Sequence, residues 1–302
     1  MALGYDRNLY ILAFDHRGSF QKKFFGISGR PSPEEAERIS DTKSTIAEGF
    51  FQAIDEGAPK EHGGLLVDEQ FGADVARRAK KEGFNFAMPV EKSGQDEFDF
   101  EYGDDFGAHI EEFDPTFSKV LVRFNPDGDQ GMNERQTGRL RRLSDWLHGR
   151  DRKFLFELLV PAEPAQLERV GGDADRYDKE LRPDLMLQAI TELQAAGIEP
   201  DIWKIEGIDR REDCERIAKQ VRAGGRDGVA CVVLGRGADE AAVVHWLKQG
   251  SGVPGYIGFA IGRTIWWDAL KVYVDGGSPR EETATKISAN YRRMIDAYNS
   301  AS

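Results

Sequence analysis

Short apolar runs and helix-like segments alternate eight times along the chain, and this alternation limits the fold more than any other feature. Most of the runs are nearly continuous, which is typical of a strand buried on both faces of a parallel sheet. Parallel strands need crossover connections, and eight such units predict one (β/α)₈ TIM barrel that spans residues 1–302 as a single domain. An open doubly wound sheet is the alternative. The predicted strands are 9–15, 65–69, 84–90, 119–125, 153–160, 201–206, 229–234 and 256–261.

Helices are predicted in most of the connections. The clearest signal starts at Ser32, which is expected as the N-cap, with Pro33 as the first helical residue and Glu35 as the capping-box partner. Two connections, 95–115 and 163–182, lack a helical period and are predicted as irregular insertions. The first is acidic and aromatic and is predicted as a long loop with one turn of helix. Loops of that length are usually functional or disordered.

Charge and cysteine content exclude several classes of function. The formal net charge of −12 argues against a nucleic-acid or anionic-membrane partner, although a local basic pocket can still bind a phosphorylated small molecule. Cys214 and Cys231 are too few for a disulfide framework. No apolar run approaches the roughly 18 residues needed to span a bilayer, and no basic, apolar leader opens the chain. We therefore expect a cytoplasmic protein, and the sequence leaves open whether it forms a homo-oligomer.

A lysine lies in the middle of the sixth predicted strand. Side chains alternate along a strand, so Lys204 shares one face with Ile202 and Glu206. Burying an ammonium group is costly unless the charge is paired or neutralised. The pattern taken alone favours an exposed sheet edge for Lys204. The other interpretation is a desolvated amine that condenses with a carbonyl to form a Schiff base.

Polar residues gather at the C-terminal ends of the predicted strands, which is where TIM barrels carry their active sites. Some of these residues are expected to be helix caps, but their clustering at one face of the barrel indicates a site. They are Asp15, Arg17, Asp68, Glu91, Lys92, Arg123, Asn125, Glu157, Lys204, Glu206, Arg236 and Arg263.

Two glycine–arginine turns indicate a phosphate site. Gly235-Arg236-Gly237 follows the seventh strand, and Gly262-Arg263-Thr264 follows the eighth and opens a helix. Glycines let the backbone approach an anion, helix N-termini present free N–H groups, and arginine supplies a forked donor. Barrels commonly bind phosphate at these two positions. The alternative is that the glycines only form tight turns beside surface arginines.

Cofactor motifs are missing from the sequence. No Walker loop or complete dinucleotide-binding fingerprint is present. The histidines at positions 16, 62, 109, 148 and 245 do not show zinc-ligand spacing, so we expect no metal and no cofactor. His16 is interpreted as a strand-end residue that contacts substrate.

Six motifs spread along the chain carry a family resemblance. They are Leu-Ala-Phe-Asp-His-Arg-Gly at 12–18, Leu-Val-Asp-Glu-Gln-Phe-Gly at 66–72, Glu-Lys-Ser-Gly at 91–94, the loop motif at 98–107, Trp-Lys-Ile-Glu-Gly at 203–207 and Gly-Phe-Ala-Ile-Gly-Arg-Thr-Ile-Trp at 258–266. Together they resemble the 2-deoxy-5-keto-gluconate-6-phosphate aldolase-like domain of inositol catabolism, which is often fused to a 5-dehydro-2-deoxygluconokinase. That domain is similar to the class I tagatose-1,6-bisphosphate aldolases, which are Schiff-base TIM barrels, and the resemblance covers nearly the whole chain.

The resemblance implies a role for individual residues. Lys204 matches the Schiff-base lysine, Glu157 looks like the neighbouring acid/base, and Asp15 and Lys119 match polar active-site positions of the tagatose aldolases. Lys119 is nevertheless predicted at the start of its strand, far from the mouth of the barrel. Arg263 matches the phosphate-loop arginine. After the seventh strand, the tagatose enzymes carry a Ser-Ala-Gly type loop in place of the Gly-Arg-Gly found here.

These features predict an aldehyde-lyase that cleaves a ketose phosphate to dihydroxyacetone phosphate and an aldehyde. Malonic semialdehyde is the aldehyde if the substrate is 2-deoxy-5-keto-gluconate 6-phosphate. The catalytic residues are expected to be Lys204, Glu157 and Asp15. Expected substrate contacts are Arg17, Asp68, Glu91, Lys119, Arg123 and Glu206, and expected phosphate contacts are Gly235, Arg236, Gly262 and Arg263. The alternatives are a tagatose-bisphosphate-type or other ketose-phosphate aldolase, and a non-catalytic sugar-phosphate-binding regulator.

Overall fold

Eight parallel strands pair in chain order, and the last pairs with the first to close a barrel, as described by a computed structural model covering residues 2–300. The strands are β1 (Leu9–Ala13), β2 (Gly63–Leu66), β3 (Asn85–Pro89), β4 (Phe117–Arg123), β5 (Lys153–Leu159), β6 (Ile202–Glu206), β7 (Ala230–Leu234) and β8 (Tyr256–Ile261). The prediction of a (β/α)₈ TIM barrel is confirmed, and the open-sheet alternative is wrong. Because β6 pairs with both β5 and β7, the edge position for Lys204 is also wrong.

Helices surround the barrel. They are α1 (Gly18–Phe25), α2 (Pro33–Asp55), α3 (Glu69–Lys81), α4 (Phe106–Phe113), α5 (Gln130–His148), α6 (Pro164–Arg169), α7 (Ala174–Arg176), α8 (Arg182–Ala195), α9 (Arg211–Val221), α10 (Glu240–Gly250), α11 (Arg263–Val274) and α12 (Arg280–Asn299), with a 3₁₀ turn at Gly103–Asp105 and a π-helical turn at Tyr177–Leu181. Within residues 2–300, no helix has the length and apolar character needed to cross a membrane.

Helix α2 begins as the sequence predicts. The backbone N–H of Glu35 donates to the Ser32 hydroxyl at 3.2 Å, and the Ser32 N–H donates to the Glu35 carboxylate at 2.7 Å. Other local structure differs from the prediction. Helix α1 was not predicted. The first insertion, predicted as a loop with one turn of helix, contains a 3₁₀ turn and α4, and the second contains α6, α7 and a π-helical turn.

The acidic insertion before β4 is held against helix α5 by ion pairs. Glu97 contacts Arg139 at 2.5 Å and Arg135 at 2.7 Å, and Asp104 contacts Arg142 at 2.7 Å. Ion pairs that are open to solvent contribute little stability individually. All three contacts join acids of the insertion to arginines of α5. The acidic segment therefore packs against this helix, beside the C-terminal ends of β3 and β4.

The barrel interior changes from apolar to charged along the strands. Leu155 and Ile202 face inward from β5 and β6 and belong to an apolar cluster inside the barrel. Two residues further along, Glu157 and Lys204 lie side by side in the strand register and face the same way. The apolar layer therefore closes the base of the barrel, and the charged layer above it faces the C-terminal mouth.

Candidate active site

A cavity of about 470 Å³ opens at the C-terminal ends of the barrel strands, and we call it the barrel pocket. Its volume lies within the range of about 300–1,000 Å³ that is usual for small-molecule sites. Twelve of the thirteen predicted site residues line it. They are Asp15, Arg17, Glu91, Lys119, Arg123, Glu157, Lys204, Glu206, Gly235, Arg236, Gly262 and Arg263.

Two lysines and three carboxylates form the base of this pocket, and we call Asp15, Glu91, Lys119, Glu157 and Lys204 the floor cluster. The Lys119 Nζ contacts Asp15 at 2.8 Å, Glu91 at 2.7 Å and Glu157 at 3.1 Å. The Lys204 Nζ contacts the same Oε2 atom of Glu157 at 3.0 Å. Both lysines are buried, with 1% and 3% of their surface exposed. One carboxylate oxygen is therefore shared by two amines inside the barrel.

The structure corrects the expected position of Lys119. Its backbone is the third residue of β4 and pairs with Leu155, one layer below the Glu157–Lys204 pair. This depth agrees with the sequence, which predicts Lys119 at the start of its strand and far from the mouth of the barrel. Its long side chain instead extends upward along the barrel axis and places the ammonium group among three carboxylates.

The carboxylates keep Lys119 charged. Burial alone would lower the pKa of Lys119, but attraction by Asp15, Glu157 and Glu91 outweighs burial and raises the pKa well above its usual value. Lys119 is therefore a fixed ammonium group at neutral pH. Among the described residues, Lys204 has one ion-pair partner where Lys119 has three.

The barrel pocket does not shift the pKa values of the three floor-cluster acids in the same direction. Burial raises the pKa of each, but Lys119 and Lys204 outweigh burial at Asp15 and Glu157 and lower both values. At Glu91 the effect of burial is larger than the attraction of Lys119, so its pKa is raised. Asp15 and Glu157 are thus carboxylates at neutral pH and can accept a proton.

The rim of the pocket carries arginines that already have partners. Arg236 forms a close ion pair with Asp178, and its Nε lies 3.0 Å from Glu206. Arg263 donates from Nη2 to the carbonyl oxygen of Arg236 at 2.7 Å. Gly237 has a φ of 74°, a left-handed conformation that favours glycine, and a side chain there would lie 2.3 Å from the Arg263 guanidinium carbon. Arg236 itself has a φ of 49°, a left-handed conformation that is uncommon for a residue with a side chain.

Arg17 and Arg123 line the pocket but also fix the chain around it. Arg17 is 5% exposed, and its guanidinium donates to the carbonyl oxygen of Glu91 at 2.5 Å and to the Glu101 carboxylate at 3.0 Å. Arg123 donates to the carbonyl oxygen of Gln95 at 2.7 Å. Both side chains therefore hold the segment after β3 in place.

Asp68, a predicted substrate contact, is the one predicted site residue that lies outside the barrel pocket. Asp68 does not line the barrel pocket, and its side chain is fully buried. One carboxylate oxygen pairs with the buried Lys43 of α2, and the other accepts the backbone N–H of Phe71 at 2.9 Å, which caps α3. The sequence did not predict the pairing of Asp68 with Lys43, because nothing in the pattern of α2 indicated a charged residue on its inward face.

His16 lies at the edge of the pocket against Trp266, with ring centroids 5.7 Å apart. Burial lowers the pKa of His16 to about 4, against the attraction of Asp15 and with the help of Arg263. The imidazole is thus neutral at physiological pH.

Asp178, in the irregular insertion before α8, is a rim residue that the sequence analysis did not identify. Its segment shows no helical or strand period that could have placed it near the pocket.

Comparisons with known proteins identify the family. A family model described as "Uncharacterized protein conserved in bacteria (DUF2090)" matches residues 4–302. The chain belongs to the DUF2090 family. The crystal structure of Cgl0159 from Corynebacterium glutamicum is similar to this DUF2090 chain, with a TM-score of 0.60 and 15% sequence identity, covering 98% of this chain and 88% of that one. At that identity the similarity shows the fold alone. No curated protein gives a match.

In the described part of the DUF2090 chain, the acidic and histidine side chains do not gather into a metal-binding cluster. Between residues 2 and 300, no group of three or more His, Cys, Asp or Glu side chains is arranged to hold a metal ion. The three acids of the floor cluster instead surround the Lys119 ammonium group, whose positive charge occupies the place between them.

Proposed function

We propose that this protein is a class I aldolase that forms a Schiff base between Lys204 and a ketose phosphate. The observation that carries the proposal is the pair of Lys204 and Glu157 inside the barrel pocket, with Nζ and Oε2 separated by 3.0 Å. A buried amine beside a carboxylate, open to a small-molecule cavity, supplies both the nucleophile and the proton acceptor that imine formation needs.

Imine formation uses these two groups in turn. Glu157 accepts a proton from the Lys204 ammonium group, and the free amine then attacks the ketose carbonyl carbon. Glu157 returns a proton to the resulting hydroxyl group, which leaves as water and gives a protonated imine. Lys119 stays charged throughout because three carboxylates hold it, so it keeps Glu157 and Asp15 in place and stabilises negative charge that develops on oxygen.

Carbon–carbon cleavage follows from the imine. Glu157, or Asp15 in its place, accepts the proton of the hydroxyl group on the carbon β to the imine. The α–β bond breaks, its electron pair moves toward the imine nitrogen, and an aldehyde leaves. Protonation of the remaining enamine and addition of water release dihydroxyacetone phosphate and restore Lys204.

The substrate proposal combines the rim with the sequence resemblance. Arg263 stands at the first turn of α11 and has no acidic partner among residues 2–300, so it is the arginine best placed to meet a phosphate group. Arg236 must first leave Glu206 and Asp178. The best-supported substrate is 2-deoxy-5-keto-gluconate 6-phosphate, which would yield malonic semialdehyde as the second product.

The test is an assay for dihydroxyacetone phosphate with a panel of substrates. The panel contains 2-deoxy-5-keto-gluconate 6-phosphate, tagatose 1,6-bisphosphate, fructose 1,6-bisphosphate and fructose 1-phosphate, with Lys204→Arg as the inactive control. We expect turnover of the first compound to exceed that of the bisphosphates. Binding of these compounds without any turnover would instead support the non-catalytic, sugar-phosphate-binding alternative.

A further inference from the structure

The barrel pocket carries positive charge on two opposite walls, and the proposed phosphate contact uses only one of them. The strands close in chain order, so β4 and β8 face each other across the mouth of the barrel. Arg123 is the last residue of β4, and Arg263 stands two residues beyond the end of β8. Both line the pocket, and neither has an acidic partner among residues 2–300. Lys204 comes from β6, midway between these walls, so a substrate that spans the mouth can present its carbonyl group to Lys204.

Arg123 has donor atoms that an anion can reach. Its Nη1 donates to the carbonyl oxygen of Gln95 at 2.7 Å, whereas Nε and Nη2 have no hydrogen-bond partner within the described residues. The side chain is partly exposed, and neither of these two nitrogens is among the buried atoms that lack a partner. Nε and Nη2 form one edge of the guanidinium group. This edge therefore remains accessible, and the contact with Gln95 holds it in position before any ligand binds.

The acids that line the pocket do not neutralise this wall. The three acids of the floor cluster surround Lys119, and Glu206 lies 3.0 Å from Arg236. Lys23 and Lys92 add two exposed ammonium groups to the mouth, and neither forms an ion pair in the part of the chain that the structure describes. An anionic group that enters the pocket is therefore attracted towards the β4 wall as well as towards Arg263.

The wall between the floor cluster and Arg123 is apolar. Leu121 lies beside Glu157 in the strand register, and Leu159 lies beside Arg123. Both leucines are partly exposed and line the pocket. A hydroxyl group held against them would lose its contacts with water and gain no hydrogen bond. The part of a substrate that lies between Glu157 and Arg123 is therefore best an unsubstituted carbon chain.

The donors near Arg123 suit a carboxylate better than a second phosphate. The N–H groups of Nε and Nη2 are parallel and match the two oxygens of a carboxylate. Phosphate sites usually add backbone N–H groups from a turn or a helix start. In the turn after β4, Pro126 has no N–H, and the N–H groups of Asp127 and Gly128 bond within the turn. We propose that Arg123 binds a carboxylate at the end of the aldehyde half of the substrate, across the pocket from the phosphate at Arg263.

This inference rests on the proposed function and names the group by which the pocket selects its substrate. The aldehyde half is the part that leaves as the aldehyde after cleavage. In 2-deoxy-5-keto-gluconate 6-phosphate, this half ends in a carboxylate and carries a methylene group beside it, which fits Arg123 and the two leucines. Tagatose 1,6-bisphosphate and fructose 1,6-bisphosphate instead carry hydroxyl groups and a second phosphate in this half.

The first test measures the binding of a fragment and needs no turnover. The probe is 3-hydroxypropionate, a carboxylate on a short unsubstituted chain, titrated by NMR against wild type, Arg123→Gln and Arg139→Gln. Arg139 donates to the carbonyl oxygen of Phe98 in the same insertion at 2.9 Å but lies outside the barrel pocket, so it is the matched control. We expect millimolar binding to wild type, about tenfold or more weaker binding to Arg123→Gln, and unchanged binding to Arg139→Gln.

Two additions guard against an unfolded variant and a shared anion site. Arg123→Lys keeps the charge without the forked edge, so it should retain part of the binding, and it takes the place of Arg123→Gln if that variant does not fold. Inorganic phosphate should not displace 3-hydroxypropionate. The proposal is wrong if the fragment does not bind wild type, if Arg139→Gln weakens binding as much as Arg123→Gln, or if phosphate displaces the fragment.

Turnover separates failure of this proposal from failure of the aldolase function. In the condensation direction, dihydroxyacetone phosphate is offered with malonic semialdehyde or with propanal, which has a methyl group in place of the carboxylate. Wild type should prefer malonic semialdehyde, and Arg123→Gln should lower the ratio of the two kcat/KM values about tenfold or more. Turnover with an unchanged ratio contradicts the carboxylate contact alone. Fragment binding through Arg123 without any turnover contradicts the aldolase function alone.

Discussion

At the floor of the barrel pocket, Lys119 and Lys204 share the carboxylate of Glu157, whereas at its rim Arg236 is held by Glu206 and Asp178. The floor is enclosed, and its lysines are almost fully buried. The rim is partly open, and about a third of the Arg236 side chain is exposed. Both regions pair cations with acids, but the dielectric environment differs, so the same kind of contact has different consequences.

The floor and the rim differ in how easily a bound substrate can separate an ion pair. At the floor, a charge left without its partner remains buried and is costly, so the groups there are suited to proton transfer within a fixed frame. At the rim, Arg236 and Asp178 are partly open to water, and the buried Glu206 still has Arg182 at 3.7 Å, so an incoming phosphate can compete for Arg236 at a moderate cost. We therefore expect substitutions at the floor to affect stability and chemistry, and substitutions at the rim to affect binding.

The largest effect is expected on folding, from Lys119→Met. This change leaves Asp15, Glu91 and Glu157 buried without their common cation, which should cost about 3–5 kcal/mol in the free energy of unfolding. Urea denaturation at neutral pH measures it. The matched control is Lys204→Met. It should lower the free energy of unfolding by less than half as much, because Glu157 retains its ion pair with Lys119.

The pH dependence of this stability difference sharpens the test. Without the ammonium group, the pKa values of the three acids rise, so the variant loses stability as pH increases through those raised values. The difference from wild type should therefore shrink as the pH is lowered and the acids of the variant become protonated. A difference that grows on acidification, or equal losses in the two lysine variants, would contradict the assignment of Lys119 as the fixed ammonium group.

Glu157→Gln should act on catalysis with little effect on substrate affinity. The amide keeps the shape of the side chain but cannot accept a proton, so kcat should fall by about 10²–10⁴-fold. Steady-state kinetics with the best substrate of the panel measures it. Asp15→Asn provides the comparison, and a larger loss of kcat there would make Asp15 the main acid/base group.

Arg263→Ala should raise KM for the phosphorylated substrate by about ten- to a hundredfold, because one charge-assisted contact is lost. Arg236→Ala should raise KM less, since Arg236 is already paired with Glu206 and Asp178. Inhibition by inorganic phosphate gives an independent measure of the same site. If neither variant changes KM or phosphate inhibition, the phosphate group binds elsewhere.

The smallest effect expected is that of a chelator. A protonated imine accepts the electron pair during cleavage, so turnover should continue in EDTA at the untreated rate. The measurement is the rate of dihydroxyacetone phosphate formation with and without EDTA. Complete loss of activity that zinc restores would indicate metal-dependent cleavage and would remove the role assigned to Lys204.

The barrel and most of the pocket could be predicted because both depend on strand position. Parallel strands bring their C-terminal ends together, so residues such as Asp15, Glu157 and Lys204 fall in one place once the strands are counted. No contact between distant residues has to be known for this step. The capping box at Ser32 was predictable for a similar reason, since all its atoms lie within four residues.

What could not be predicted depends on side-chain reach and on distant segments. Strand position placed Lys119 one layer too deep, because periodicity does not report how far a lysine side chain extends. The pairing of Asp68 with Lys43 needed the orientation of a helix, and the contact of Arg236 with Asp178 needed the path of an irregular insertion. Charged pairs between a strand end and a helix leave no periodic pattern in the sequence.

Borohydride trapping on Lys204 tests the central claim most directly. Reduction during turnover should fix the carbon skeleton of the substrate onto the protein through a secondary amine, and peptide mass spectrometry should find the adduct on Lys204. Lys204→Arg keeps a positive charge but cannot form the imine at neutral pH, so it should fold, bind phosphate and show neither adduct nor turnover. An adduct on Lys119 or Lys92, with Lys204→Arg still active, would contradict the account.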